Sequence, residues 1–169
     1  MKLQKNTTNI VTIEDPVEYT IDKVAQIQVN PHVEFTFANA LRSILRQDPE
    51  VIMVGEIRDV ETAKMAVQAG LTGHFVISTI HSGTAAGVFT RLLDMGIEPF
   101  LVASSVSGVL AQRLLRLNCP DCAKPYTPDP ILFRHFGQEE EKGEFFRGKG
   151  CKACQGIGYR GRASVGEFL

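Results

Sequence analysis

The chain lacks an excess of either charge: Lys and Arg total 18, Asp and Glu 19, and the net charge is -1. No global basic field is available to hold nucleic acid or an anionic membrane surface. Long apolar runs are missing as well. No stretch approaches the roughly 20 residues that cross a bilayer, so no transmembrane segment is expected. The opening MKLQKNTTNI contains no hydrophobic leader, and the chain reads as cytosolic. There is no internal repeat. With 44% apolar and 22% charged residues, disordered, collagen-like and coiled-coil classes are excluded. The 169 residues suffice for one domain, or for one domain and a small module.

Cysteine is scarce, and its placement is informative. The four cysteines form two C-x-x-C pairs, Cys119/Cys122 and Cys151/Cys154, with 28 residues between them. In a reducing compartment four thiols rarely mean two disulfides. Two such knuckles supply four soft thiolates at tetrahedral corners, which suits a structural zinc site with no open position. Unliganded buried thiols and a redox pair are the rival readings.

Punctuation and periodicity organise the rest. Residues 10–15 read as a β-rich strand ending in two acids before Pro16, and residues 25–29 as a short half-exposed strand. Thr36 caps a helix running to about Gln47, where Asp48-Pro49 stops it. Residues 51–54 are a continuous apolar run fit for a strand buried on both faces. Asp59 caps a second helix closed by Gly70. Residues 75–80 read as another buried strand, Thr84 opens a helix ended by Gly96, and residues 99–117 read as one mostly apolar helix. Alternating buried strands and helices predict an α/β domain with a mainly parallel sheet. After Asn118 prolines, glycines and the acidic run Glu139-Glu140-Glu141 break the texture. The expected organisation is a core over 1–117, a zinc-pinned excursion over 118–156, and a returning strand within 157–169.

In open α/β sheets the active crevice lies at the carboxyl ends of the strands. Glu14 and Asp15 end the first strand, Glu56 follows the second buried one, and His81 follows the third. His74 precedes that third strand and is expected nearer its far end. Carboxylates so placed suit water-mediated phosphoryl transfer: one orients or deprotonates water, another holds magnesium through water, and a histidine or arginine senses the γ-phosphate. Each residue alone also has a structural reading. Asp15 is a turn residue, Asp59 a helix cap and His74 a loop histidine.

Taken together, three strings are more specific. Val11-Thr12-Ile13-Glu14-Asp15-Pro16-Val17-Glu18-Tyr19 resembles the Asp box of the type II secretion and type IV pilus ATPases. Leu45 through Asp59, with Gly55 where most such motifs carry aspartate, resembles their Walker B segment. Gly70-Leu71-Thr72-Gly73-His74 through Thr79-Ile80-His81-Ser82 resembles their His box. The late cysteine pairs resemble the tetracysteine motif of the assembly branch. Leu92 through Phe100 is more similar to the GspE (type II secretion) subgroup than to PilB (pilus assembly).

The resemblance implies a RecA-like P-loop NTPase core. Glu56 is then the catalytic glutamate, and Glu14, Asp15 and Glu18 are Asp-box acids near magnesium and nucleotide. His74 and His81 are His-box residues, and Arg58, Arg42 and Arg46 are candidates for anion contacts or structural pairing. Arg113 is expected to be structural or at an interface. It further implies Mg-ATP, structural zinc, a homo-hexameric parent, inner-membrane platform partners, and a cytoplasmic site peripheral to that membrane. No nucleic-acid partner is implied.

One element departs from the pattern. A G-x-x-x-x-G-K-[ST] loop should precede the Asp box, and only about ten residues do. Gly143 through Gly150 has two glycines and Lys149 at the right spacing, but Gly150 replaces the magnesium-binding Ser/Thr. It also follows an acidic run rather than a strand. The core is therefore expected to be partial, without the first strand and P-loop, and the fragment alone inactive. The alternative class is a non-catalytic zinc-stabilised α/β module docking to a membrane platform protein; a zinc-ribbon nucleic-acid binder is disfavoured by charge.

Overall fold

The computed structural model describes residues 7–135 and 143–169. The acidic run 139–141 lies outside the described residues. Contacts divide the chain into two compact units. One takes in residues up to Ala111 together with Glu167–Leu169, and the other comprises Gln112–Gly166.

The first unit is built on a four-stranded sheet. Strands β1 (Ile10–Glu14), β2 (Ala25–Gln28), β3 (Val51–Ile57) and β4 (Phe75–Ile80) lie in the order β2-β1-β3-β4. All three pairings are parallel, with Ile13 opposite Ile27 on one side and Val54 on the other. The expected α/β architecture with a parallel sheet is what forms.

The linking helices start where their sequences cap them. The Thr36, Asp59 and Thr84 side chains accept from backbone N–H groups three residues on, opening α1 (Phe37–Ile44), α2 (Val60–Leu71) and α3 (Ala85–Asp94). Helix α4 (Pro99–Ser105) begins on Pro99, whose missing N–H costs nothing there. Leu41 and Ile44 of α1, Ala63 and Ala69 of α2, and Val11, Ile13, Ile52 and Val54 of the strands are fully buried in one core. Each large aliphatic side chain so buried contributes about 1.5–3 kcal/mol.

Four expectations need correction. Helix α2 passes through Gly70 to Leu71, and Gly73 at φ +99° takes the left-handed position that ends it. Strand β3 continues to Ile57, so Glu56 lies inside a strand rather than after it. Strand β4 is an edge strand and leaves Phe75 and Ile77 exposed, so it is not buried on both faces. Finally, residues 99–117 are not one helix. Helix α4 ends at Ser105, Val106 is extended, and Leu110–Asn118 is strand β5. Its partner is β8 (Tyr159–Phe168). Val109 and Leu169 exchange backbone hydrogen bonds beside it, and this pairing overrides the helical propensity of the leucines and alanine.

In the second unit β6 (Ala123–Pro125) pairs antiparallel with β7 (Phe146–Gly148), and α5 (Pro130–His135) lies in the excursion between them. Gly148 and Gly158 pack backbone to backbone: a Cβ on Gly148 would stand 1.9 Å from the Gly158 carbonyl oxygen. Among the described residues no helix is long and apolar enough to cross a membrane.

Candidate functional site

Glu14 closes β1 at the carboxyl end of the sheet. One of its oxygens, Oε1, accepts from the buried Thr12 hydroxyl at 2.5 Å and from Gln26 Nε2 at 2.9 Å. The same Gln26 amide serves the loop that follows: Nε2 donates to the Tyr19 carbonyl, and Oε1 accepts from Ile21 N–H at 2.6 Å. Gln28 Oε1 accepts from Val17 N–H. Two glutamines of one edge strand thus hold both the carboxylate and the loop bearing Asp15 and Glu18, which are themselves exposed. Sequence reasoning missed them. Their signal was the Gln-Ile-Gln alternation opposite the Asp-box strand.

Glu56 is aimed by an irregularity. Between Val54, paired with Ser78, and Ile57, paired with Ile80, β3 has one more residue than β4. Such a bulge frees backbone groups and redirects side chains. The freed acceptors are used: Ser78 and Thr79 hydroxyls donate to the carbonyls of Val54 and Gly55, each at 2.8 Å. Gly55 has no side chain to hold β1 away. The Glu56 carboxylate is only 15% exposed and bonds to Arg58 Nε through Oε2. His81 Nε2 lies 3.9 Å from the same oxygen, and its ring is 93% exposed. A half-buried carboxylate flanked by one fixed cation and one solvent-facing imidazole can orient water or an anion above the strand ends.

The parallel sheet gathers Glu14, Glu56 and His81 at its carboxyl end, with Asp15 and Glu18 in the adjoining loop and Arg58 one residue beyond β3. It does not bring His74 to them. His74 precedes β4 at the amino end, some 20 Å from His81 at about 3.3 Å per residue. Its Nδ1 meets the Ala69 carbonyl at 3.0 Å and the Thr72 hydroxyl at 3.1 Å, finishing the α2 terminus. Arg42 pairs with Glu61 at 2.9 Å, and Arg46 donates to the Arg42 carbonyl, so both are engaged locally. Arg113 lies on β5 in the other unit.

The four cysteines form a second centre. Their sulfurs all lie within 4.8 Å of one another. The Cys119–Cys151, Cys122–Cys154 and Cys151–Cys154 separations are 3.9, 3.8 and 3.7 Å. Tetrahedral Zn–S bonds of about 2.3 Å put sulfurs about 3.8 Å apart, so the donor set fits one four-sulfur ion. Cys154 Sγ also accepts from Cys151 and Gly158 N–H groups, each at 3.2 Å. The Cys151 N–H bond, above all, pulls the Cys154 pKa down to about 6. Burial pushes Cys122 up to about 11 and raises Cys119. No disulfide joins them. Residues 146–148 of the string Gly143–Gly150 form β7, and no α-helix begins within the string.

Residues 1–169 match the family described as type II/IV secretion system protein. The chain is 56% identical over 169 residues to the type II secretion system ATPase E of Vibrio cholerae, covering 99% of this chain and 34% of that protein. It is 53% identical over 168 residues to the type II secretion system protein E of Pseudomonas aeruginosa, with the same coverages. To the type IV pilus assembly ATPase PilB of Thermus thermophilus it is 51% identical over 164 residues, covering 95% and 18%. Among solved structures, the pilus retraction motor PilT with bound ADP superposes at TM-score 0.57, with 40% identity over 64% of this chain and 34% of that one. The Legionella pneumophila ATPase DotB gives TM-score 0.58 and 28% identity, covering 72% and 36%. The chain spans about a third of the length of the type II secretion relatives it matches.

Proposed function

The chain belongs to the type II/IV secretion system protein family, and from that premise we propose that it is a segment of a secretion motor ATPase. The longer protein would hydrolyse ATP to drive pseudopilus or pilus assembly and type II secretion. In this reading residues 1–117 form a partial RecA-like core, 118–156 a zinc module, and 157–169 the return to the core.

What supports the reading is that Glu14, Glu56 and His81 lie at or near the carboxyl ends of three adjacent parallel strands, with the His81 ring 3.9 Å from the Glu56 carboxylate. Glu56, fixed by Arg58 and the bulge, would polarise the attacking water. Glu14 and Asp15 would hold magnesium through water, with Glu18 beside them. His81 and Arg58 would face the γ-phosphate, and His74 would act at the sheet's other end or at a subunit boundary. Such groups act by positioning and by stabilising charge that develops in the transition state.

Cys119, Cys122, Cys151 and Cys154 would hold one zinc ion, which supplies a rigid four-sulfur cross-link and no reactive position. The family resemblance supports a homo-hexameric parent, because a nucleotide at a heterologous interface lets one subunit complete its neighbour's site. It also supports inner-membrane platform proteins as partners, with the motor cytoplasmic and peripheral to that membrane.

The decisive experiment uses a full-length protein carrying this segment. Glu56→Gln should lower ATP turnover at least about a hundredfold while leaving nucleotide binding in place. Unchanged turnover would favour a non-catalytic zinc-stabilised module docking to the platform.

A further inference from the structure

The first N–H groups of a helix have no partner within it. In α3 the Thr84 hydroxyl takes the N–H of Gly87 at 3.0 Å. The N–H of Ala85, a residue with no exposed surface, needs another acceptor. It finds one 82 positions away: Glu167 Oε2, at 2.9 Å. A carboxylate is the group that the positive end of a helix favours.

Glu167 is held for this contact. Two residues on, Leu169 and Val109 exchange backbone hydrogen bonds of 2.8 and 3.0 Å. The Phe168 ring lies against Gly108, where an added Cβ would come within 3.3 Å of it. The chain immediately after the carboxylate is thereby fixed.

What Glu167 grips is the far end of the His81–Thr84 loop. Its near end is fixed by β4, and its middle by the Ser82 hydroxyl, which donates to the Thr84 carbonyl at 2.8 Å. Gly87 leaves room for that hydroxyl; a Cβ there would stand 2.5 Å from Ser82 Oγ. The loop begins with His81, whose ring lies 3.9 Å from the Glu56 carboxylate.

We infer that Glu167 is a positioning residue: by binding the first N–H of α3 it sets the His81–Thr84 loop and so places the imidazole against Glu56. The catalytic meaning of that placement rests on the nucleotide-site reading given above. The placement itself does not.

The test is amide hydrogen exchange and histidine-ring NMR on the 169-residue chain. Glu167→Ala should speed exchange at Ala85 roughly tenfold or more and shift the His81 ring resonances. Glu167→Gln, whose amide oxygen can still accept, should keep most of the protection and the wild-type His81 signals. Arg162→Ala on the same strand should change neither. Unaltered Ala85 exchange in Glu167→Ala overturns the inference. So does faster exchange with His81 signals unmoved, since that would make Glu167 a cap and nothing more. Should Glu167→Ala not fold, Glu167→Asp, one methylene short of the contact, is read by the same two criteria. These readouts need no nucleotide, so their outcome is separate from the Glu56→Gln turnover result.

Discussion

Gly55 and Ile13 meet backbone to backbone where the two acidic strands end. A Cβ on Gly55 would lie 3.0 Å from the Ile13 carbonyl oxygen and 3.5 Å from the Glu14 Cα. The missing side chain is what lets β1 and β3 close beside Glu14 and Glu56. Gly55→Ala should therefore cost about 1–3 kcal/mol, and thermal denaturation should show a fall of about 3–10 °C. A melting temperature equal to wild type would mean that the strands separate without penalty.

Gln26 is the hub of the Asp-box loop, with three hydrogen bonds to Glu14, Tyr19 and Ile21. Gln26→Leu strands these groups, at about 1–3 kcal/mol for any that remain buried. Amide exchange at Ile21 should rise sharply, while Val17, held by Gln28, changes less. Gln28→Leu should give the reverse pattern. If both variants released the loop equally, the two glutamines would not act independently.

Local signals made much of this legible in the sequence. Thr36, Asp59 and Thr84 cap the helices they were expected to cap, because a side-chain oxygen three residues before an unpaired N–H works wherever the helix lies. Val51 to Val54 declared a central strand by being apolar throughout. What escaped depends on partners distant in sequence. Leu110 to Asn118 has good helix formers, yet it pairs with β8 because residues some fifty positions later compete for its backbone. Phe75 and Ile77 alternate along β4 and so share one sheet face, which is left uncovered, and whether a face is covered is something no local pattern encodes. Nothing local in the sequence marks Glu167, since its use lies 82 residues away.

The cysteine cluster should retain one zinc per chain by elemental analysis, and each Cys→Ser change should reduce that content. Its metal-stripped form should have a characteristic pH response. Cys154 is depressed from an ordinary 9 to about 6, with the Cys151 N–H bond the largest cause. Its thiolate's contribution is complete above pH 9 and lost as pH falls through about 6. Cys122, raised to about 11 by burial, acts oppositely and loses its contribution only between about 9 and 11. The stripped protein should thus melt at lower temperature as pH falls from 9 to 6, and Cys154→Ser should flatten that fall. A slope unchanged by the substitution would assign it to other groups.

The isolated chain should not bind Mg-ATP at micromolar concentration. Tight binding of a triphosphate needs backbone N–H groups converging at a helix N-terminus, with a lysine and a hydroxyl at fixed spacing. Among the described residues the string with two glycines and a lysine so spaced is Gly143–Gly150, and its later half is strand β7 and a turn. Gly148 there is packed against Gly158, and Gly150 against Gly156. Those contacts hold the backbone as one wall of the cysteine knuckle, and Lys149 donates its N–H to the Cys122 carbonyl rather than turning it outward. At the Glu14–Glu56–His81 end of the sheet the groups that can face an anion are Arg58, already paired with Glu56, and His81; one engaged guanidinium and one imidazole beside carboxylates do not by themselves hold a triphosphate tightly. Isothermal titration should accordingly show no saturable heat below millimolar Mg-ATP. Micromolar binding, abolished by Lys149→Ala and retained in Glu56→Gln, would instead make the Gly143–Gly150 string a phosphate site and refute the assignment of that segment to the metal knuckle.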